Sequence, residues 1–286
     1  MVYGFQQTKS GLYVPSPGGL VGPQRQGMDQ RKKVGLNLGL KAWWSMRDVL
    51  RLWPSGGWSV GSQWPDRIQG LKLTVANTWV ATIAYSDADG KGAYIDPQYG
   101  GLVNSADKHN LPIGADESWM FIACNLTGTL SSGGPYNSGV HGFKYGHGGS
   151  YASTDGRQCT FSNTPQHRAV MGATTQNSGV NINAAGYSVF ATRLSATSIE
   201  LWRDGSLIVS QAGSFTDNNR KTFVTLGAPN GGDYTPQRIR DFLVTGAITA
   251  EARQYIEGYL AWNCADQSLL PATHPYKSAP PTGGLM

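Results

Sequence analysis

The chain carries four glutamates in 286 residues, and that scarcity limits the chemistry open to it. Glycoside cleavage needs two carboxylates facing one bond, one as acid and one as nucleophile or base. The four are Glu117, Glu200, Glu251 and Glu257. The last two fall in one amphipathic segment near the C-terminus, and no two share a predicted strand. Asp87 and Asp89 stand two apart, but in a Gly-flanked run that reads as a turn. Gly57-Trp58-Ser59-Val60-Gly61 matches the nucleophile-elbow pattern, which requires a strand before the serine and a helix after it. Pro54 precedes it and Gln63-Trp64-Pro65 follows, so neither element is signalled. His141, Tyr145, His147 and Tyr151 are the candidate ligand-binding residues, set in a Gly- and aromatic-rich run. Two imidazoles could share a metal, and tyrosines could stack on a sugar. The competing reading is a loop between strands at one end of a sandwich. Asp217, Asn218 and Asn219 offer oxygens of the type Ca2+ takes, but Asn-rich turns are common and no calcium motif is assigned. No other cofactor is expected. Cys124, Cys159 and Cys264 lie far apart with no Cys-x-x-Cys pair, so buried free thiols are the default.

These residues must be positioned by short strands. The chain has 38 Gly and 15 Pro, and only 14% of it is charged, against about 25% in an average domain. A helical bundle would need many more charges and fewer glycines. Collagen would need a strict Gly period. A disordered chain would not carry 40% hydrophobic residues with 9 Trp, 13 Tyr and 8 Phe. Apolar runs bounded by Gly, Asn, Asp and Ser predict strands at 71–76, 78–84, 118–126, 141–145, 169–174, 187–194, 198–203, 207–211, 222–227 and 238–245. Asp204-Gly205 supplies the positive φ of a type I′ turn between two of them. Trp43, Trp44, Trp53, Trp58 and Trp64 crowd one segment, which signals core packing, with a glycan platform as the competing use. Ala252, Tyr255, Ile256, Tyr259 and Leu260 form a single helical stripe. Thr249 is the expected N-cap and Asn263 the expected end.

The formal charge is +5. Residues 1–51 hold eight basic side chains against two acidic ones, so the rest of the chain is close to neutral. Residues 1–39 lack periodicity and are rich in Gly and Pro. They read as an extended arm, with Arg25, Arg31, Lys32 and Lys33 as its contact residues. The three-residue basic run is too short to argue for nucleic acid. No apolar run has the length of a membrane span, and no leader core precedes the arm.

The C-terminal third carries a resemblance. An Asp-Gly hairpin in Ser198–Gln211 is followed by Leu226-Gly227 and Ile239-Arg240-Asp241-Phe242-Leu243-Val244. Then come Ile248-Thr249-Ala250-Glu251, Ile256-Glu257-Gly258-Tyr259-Leu260-Ala261 and Leu270-Pro271-x-x-His274-Pro275-Tyr276. This order resembles the concanavalin A-like, laminin-G-like jelly rolls of tailed-phage virion proteins and bacterial surface proteins. The match is good over 185–281 and rests on strand rhythm alone over 40–184. It implies an all-β, two-sheet jelly-roll sandwich over 40–265, with one amphipathic helix at about 249–263 and a Pro-rich extended tail over 266–286. The family's enzymes use Glu-x-Asp-x-x-Glu or a near variant, which this chain lacks. The expectation is therefore a non-enzymatic structural protein of a tailed-phage virion, anchored by its arm to other virion proteins and self-associating, with a trimer as first guess. A lectin-like adhesin for a host cell-surface glycan is the alternative, and a glycan depolymerase stands third. Neither membrane nor nucleic acid is an expected partner.

Overall fold

The computed structural model describes residues 5–7, 13–15, 37–52, 62–75, 82–84, 94–96, 101–104, 111–112, 114–126, 142–147, 157–162, 167–171, 174–177, 186–215, 224–227 and 237–285. In chain order the first strands are β1 (Phe5–Gln7), β2 (Tyr13–Pro15), β3 (Leu40–Ser45), β4 (Gln63–Pro65), β5 (Lys72–Val75), β6 (Thr82–Ala84), β7 (Tyr94–Asp96) and β8 (Gly101–Asn104). Next come β9 (Ser118–Leu126), β10 (Gly142–His147), β11 (Arg157–Ser162), β12 (His167–Met171) and β13 (Thr174–Asn177). The last are β14 (Ser188–Leu194), β15 (Ser198–Arg203), β16 (Ser206–Ala212), β17 (Val224–Gly227) and β18 (Gln237–Thr245). Helix α1 spans Met46–Leu52 and α2 spans Ala250–Asn263.

Two antiparallel sheets form the body. The first runs β16-β15-β14-β9-β18-β7-β6, with β3 also paired to β18. The second runs β13-β12-β11-β10-β17-β8-β5-β4. The chain crosses between them repeatedly, and β18 lies between β9 and the pair β3 and β7. This is the all-β, two-sheet sandwich that the sequence implies. β1 and β2 pair only with each other among the described strands, inside the segment read as an arm.

The first sheet is covered on both faces, which explains its near-continuous apolar runs. Met120, Ile122 and Cys124 of β9 face the sandwich core, with Phe190, Leu201 and Phe242 from neighbouring strands. Trp64, Leu73, Met171 and Val224 meet them from the second sheet. Trp44 stacks on Phe242 with ring centroids 5.4 Å apart. The alternate residues Trp119, Phe121 and Ala123 point outward, where α2 covers them with Tyr255, Ile256, Tyr259 and Leu260. Trp43, Trp44 and Trp64 are all core residues, so none of these three is a glycan platform. Trp53 and Trp58 lie outside the described residues.

Helix α2 begins as the sequence predicts. Thr249 Oγ1 accepts from the Ala252 amide at 3.2 Å, and Asn263 Nδ2 donates to the Tyr259 carbonyl at 2.9 Å in the last turn. The hairpin turn also forms as predicted, with φ of +48° at Asp204 and +80° at Gly205. Asp204 and Val189 exchange two bonds of 2.8 Å, one backbone to backbone and one into the Asp204 carboxylate, which ties the turn to β14.

The Pro-rich tail is not extended as expected but turns repeatedly and is packed. A 3-10 turn spans Gln267–Leu269, and the His274 and Lys277 amides donate to the Pro271 and His274 carbonyls at 2.9 and 3.0 Å. Leu270, His274 and Leu285 are buried. Trp262 Nε1 donates to the Tyr276 carbonyl at 2.8 Å, and the Tyr255 hydroxyl donates to the Thr282 carbonyl at 3.1 Å. Its apolar side chains and these bonds make residues 265–285 a strap over α2. Gly258 is the point of closest approach. A Cβ there would sit 2.6 Å from the Tyr276 Cβ, a distance that no rotamer change relieves. Gly258→Ala is expected to cost about 1–3 kcal/mol of overpacking. Chemical denaturation should show that loss together with faster proteolysis within the strap.

Candidate functional site

Among the described residues, the most developed polar constellation lies on the outward face of the first sheet, beside α2. Arg193 of β14 stands opposite Trp119 of β9 and opposite Glu200 of β15. Its Nη2 donates to Glu117 Oε2 at 2.7 Å, and its Nη1 donates to Glu200 Oε1 at 2.7 Å. The remaining carboxylate oxygens are also taken. Trp119 Nε1 donates to Glu117 Oε1 at 2.9 Å, and Trp202 Nε1 donates to Glu200 Oε2 at 3.1 Å. The bond to Glu117 leads the causes that raise the Arg193 pKa above its ordinary value, against the opposing effect of burial. Sequence reasoning did not pair Glu117 with Glu200, because 83 positions separate them. A signal was present. Glu117-Ser118-Trp119 and Glu200-Leu201-Trp202 repeat one Glu-x-Trp pattern, and a spacing of two puts both members on one face of a strand.

A second charged group adjoins the first. The Arg253 guanidinium lies 3.7 Å over the Trp202 ring. Arg253 Nη1 donates to both oxygens of Glu257, at 2.7 and 2.6 Å. His274 Nε2 stands 3.6 Å from Glu257 Oε2, while His274 Nδ1 accepts from the Tyr276 amide at 3.3 Å. The hairpin turn closes this group, since a Cβ at Gly205 would come within 2.8 Å of the His274 ring. All three side chains are buried, so the group joins helix, strap and hairpin and does not face solvent.

A third polar group centres on the buried Asp241, at the start of α1. Asp241 accepts from Trp43 Nε1 at 2.8 Å, Ser45 Oγ at 3.2 Å and the Met46 amide at 3.3 Å. A register shift in β18 between Ile239 and Asp241 accompanies this placement. Desolvation pushes its pKa up to about 6, with the Trp43 bond the leading opposing influence. Burial likewise raises the Cys124 and Cys264 thiols, which keeps them protonated and unreactive. Cys159 lies on β11.

These groups commit most of the glutamates to structural bonds. Glu117 and Glu200 are saturated by an arginine and two indoles. Glu257 is committed to Arg253. Glu251 is exposed in the first turn of α2, where the backbone and Thr249 lower its pKa. Among the described residues, no group of three or more His, Cys, Asp or Glu is placed to hold a metal ion. No described helix is long and apolar enough to cross a membrane.

The residues singled out from sequence fall mostly elsewhere. Tyr145 and His147 lie on β10, in the interior of the second sheet, opposite Cys159 and Arg157 of β11. The sequence predicts strand only to Tyr145, whereas β10 continues to His147. The alternation of Phe143, Tyr145 and His147 carries the strand two residues further. His141 and Tyr151 lie outside the described residues, as do Arg25, Arg31, Lys32 and Lys33 of the arm. The same holds for Asp87, Asp89, the Gly57–Gly61 motif and Asp217, Asn218 and Asn219.

No family model matches the chain, and no curated protein matches its sequence. Solved structures do share its fold. Domain 4 of an extracellular arabinanase from Geobacillus stearothermophilus, in complex with arabinotriose, aligns with TM-score 0.50 at 10% identity, over 74% of this chain and 95% of that one. An arabinofuranosidase complexed with arabinofuranosyl-alpha-1,2-xylobiose aligns with TM-score 0.52 at 12% identity, over 71% of this chain and 51% of that one. The binding domain of botulinum neurotoxin serotype D aligns with TM-score 0.51 at 10% identity, over 78% of this chain and 51% of that one. The chain thus spans nearly all of the arabinanase domain and about half of the other two. At these identities the likeness is one of fold, a β-sandwich.

Proposed function

We propose that this chain is a non-enzymatic structural component of a tailed-phage virion. It presents the sandwich as a lectin-like display domain and is anchored to neighbouring virion proteins by its basic N-terminal segment. The observation that carries the non-enzymatic reading is the fate of the glutamates. Three of the four are locked into structural bonds with arginine and tryptophan, and the fourth stands alone on a helix turn. The virion reading rests on the C-terminal string, whose helix, Leu-Pro and His-Pro-Tyr segments pack as one unit. Arms of this kind gain wide contact by ordering on assembly, at a cost in entropy.

A carbohydrate-binding adhesin is the second reading. It is favoured by the arabinanase domain, which shares the fold along nearly its whole length and whose structure holds an arabinotriose.

Truncation separates these readings. Leu38 is buried in the outer core and the Gly39 carbonyl accepts from the Gly246 amide at 2.9 Å, so the cut belongs after residue 36. The truncated protein is expected to fold and to be missing from assembled particles. Normal incorporation would remove the anchoring reading. Binding of the intact chain on an array of bacterial polysaccharides would support the adhesin, and release of soluble sugar from any of them would overturn the non-enzymatic assignment.

A further inference from the structure

Among the described strands the two sheets end in β16, β6, β13 and β4, with β3 a further outer strand beside β18, and all but β16 are blunted or covered. β3 is covered by the segment after β4, where the Arg67 amide donates to the Trp43 carbonyl at 2.9 Å and Gln69 Nε2 donates to the Lys41 carbonyl. β4 is three residues long and ends in Pro65, and β6 is also three residues long. β13 has four residues, Thr-Thr-Gln-Asn, all polar. β16 differs from all of them. It has seven residues, Ser-Leu-Ile-Val-Ser-Gln-Ala, with neither charge nor proline. Ser206, Leu207, Ser210 and Ala212 are exposed, Leu207 to 47%. An edge strand presents a row of unpaired N–H and C=O groups, and proteins ordinarily block it with lysine, proline, shortness or a covering element. Among the described residues, the one such device on β16 is an irregularity opposite Leu201 and Trp202, at the turn end of the hairpin. From Val209 to Ala212 the pairing with β15 is regular, so this stretch is held straight from behind.

We propose that β16 is a docking edge for a second copy of this chain, which adds its own β16 antiparallel and joins two first sheets into one. The chemistry of the edge selects an extended strand as its occupant, because only a strand satisfies alternating donors and acceptors along its length. The strand is suited to pair with itself. Centred on Val209, antiparallel self-pairing sets Leu207 against Gln211, Ile208 against Ser210 and Ser206 against Ala212 of the other copy. No charge faces a like charge, and the charges of Glu200 and Arg203 stay one strand further in. The contact is isologous, so it closes at two copies. Among the described strands, the other edges are blunted or covered and offer no second site from which the sheet could grow. The contact does not depend on the virion reading, and it can operate within or between larger rings.

Sedimentation velocity on the full chain, from about 1 to about 100 µM, tests this. A species of twice 30.7 kDa is expected to grow with concentration. The double variant Leu207→Lys/Ser210→Lys changes two exposed positions and places like charges across the two-fold axis. It should weaken the dimer at least about tenfold while its circular-dichroism melt stays that of the parent. Hydrogen exchange on the unmodified chain gives a second readout. Alternate amides within 206–212 should slow at the higher concentration. A chain that stays monomeric throughout would overturn the proposal. So would a dimer that survives both lysines, or one that is lost on removing residues 1–36 but not on adding the lysines.

Discussion

Replacing Glu257 with alanine is expected to lower the unfolding free energy by about 3–5 kcal/mol and to free the C-terminal strap. Glu257 is fully buried, and Arg253 beside it is 6% exposed. Both glutamate oxygens accept from one guanidinium nitrogen, so the two charges neutralise each other inside the protein. Alanine removes only one of them. The guanidinium then remains buried with the Trp202 face as its main company, and cation–π attraction does not replace a counter-charge. His274 loses its neighbour as well. Its Nδ1 accepts from the Tyr276 amide, so in the neutral ring the hydrogen sits on Nε2, which faces Glu257. The physical cause can be isolated by removing both charges. Arg253→Met/Glu257→Leu leaves no buried ion and should be far less damaging than Glu257→Ala alone, although it deletes more polar contacts. Urea denaturation of the two single variants and the pair measures this coupling. A loss below about 1 kcal/mol for Glu257→Ala would mean that water reaches the guanidinium and the cluster is not sealed.

The same cluster shows where sequence reasoning succeeds and where it stops. The stripe of α2, its Thr249 cap and the Asp204-Gly205 turn were legible because each depends on residues within four positions of one another. Strands β9, β14 and β15 were legible because apolar runs between turn residues need no partner to be recognised. β11 was not, since Arg157-Gln158-Cys159-Thr160-Phe161-Ser162 looks polar. Its Arg157 is nevertheless fully buried and donates to Ser118 Oγ at 2.8 Å and the Gly114 carbonyl at 2.9 Å, a pairing across 39 and 43 positions. β7 and β8 are too short to show a period. The tail misled for a related reason. Proline density argues for an extended backbone, but it says nothing about whether Leu270, His274 and Leu285 find a surface to cover. Charge clusters were the least legible feature. Glu117 and Glu200 meet on Arg193 because β9, β14 and β15 are neighbours in one sheet, and Glu257 meets His274 because the strap folds over α2.

Two buried titratable groups should contribute opposing slopes to the acid profile of the protein. His167 of β12 lies inside the sandwich, 3.2 Å from Thr192 Oγ1 and edge-on to Phe190, and burial lowers its pKa from 6.5 to about 3. Between those values the unfolded chain takes up a proton that the folded chain refuses. Stability from this group is therefore complete above pH 6.5 and falls by about 1.4 kcal/mol per pH unit below it, about 5 kcal/mol in all by pH 3. Asp241 acts in the other direction. Burial raises its pKa from 3.8 to about 6, so between those values the folded chain holds a proton that the unfolded chain has lost. Its contribution improves by about 3 kcal/mol as pH falls from 6 to 3.8. The two slopes nearly cancel from pH 6 to 4, and of these two groups only the histidine contributes below that. Single substitutions should uncover each slope. Asp241→Asn is expected to leave stability falling by about 2–3 kcal/mol from pH 6 to pH 4, and His167→Gln to leave it rising by a similar amount. Absolute stabilities will differ for packing reasons, but the groups shared by both variants contribute equally to both slopes. Urea unfolding at half-unit pH steps, or about that spacing, supplies the comparison. Parallel slopes in the two variants would show that one of these side chains reaches water in the folded protein.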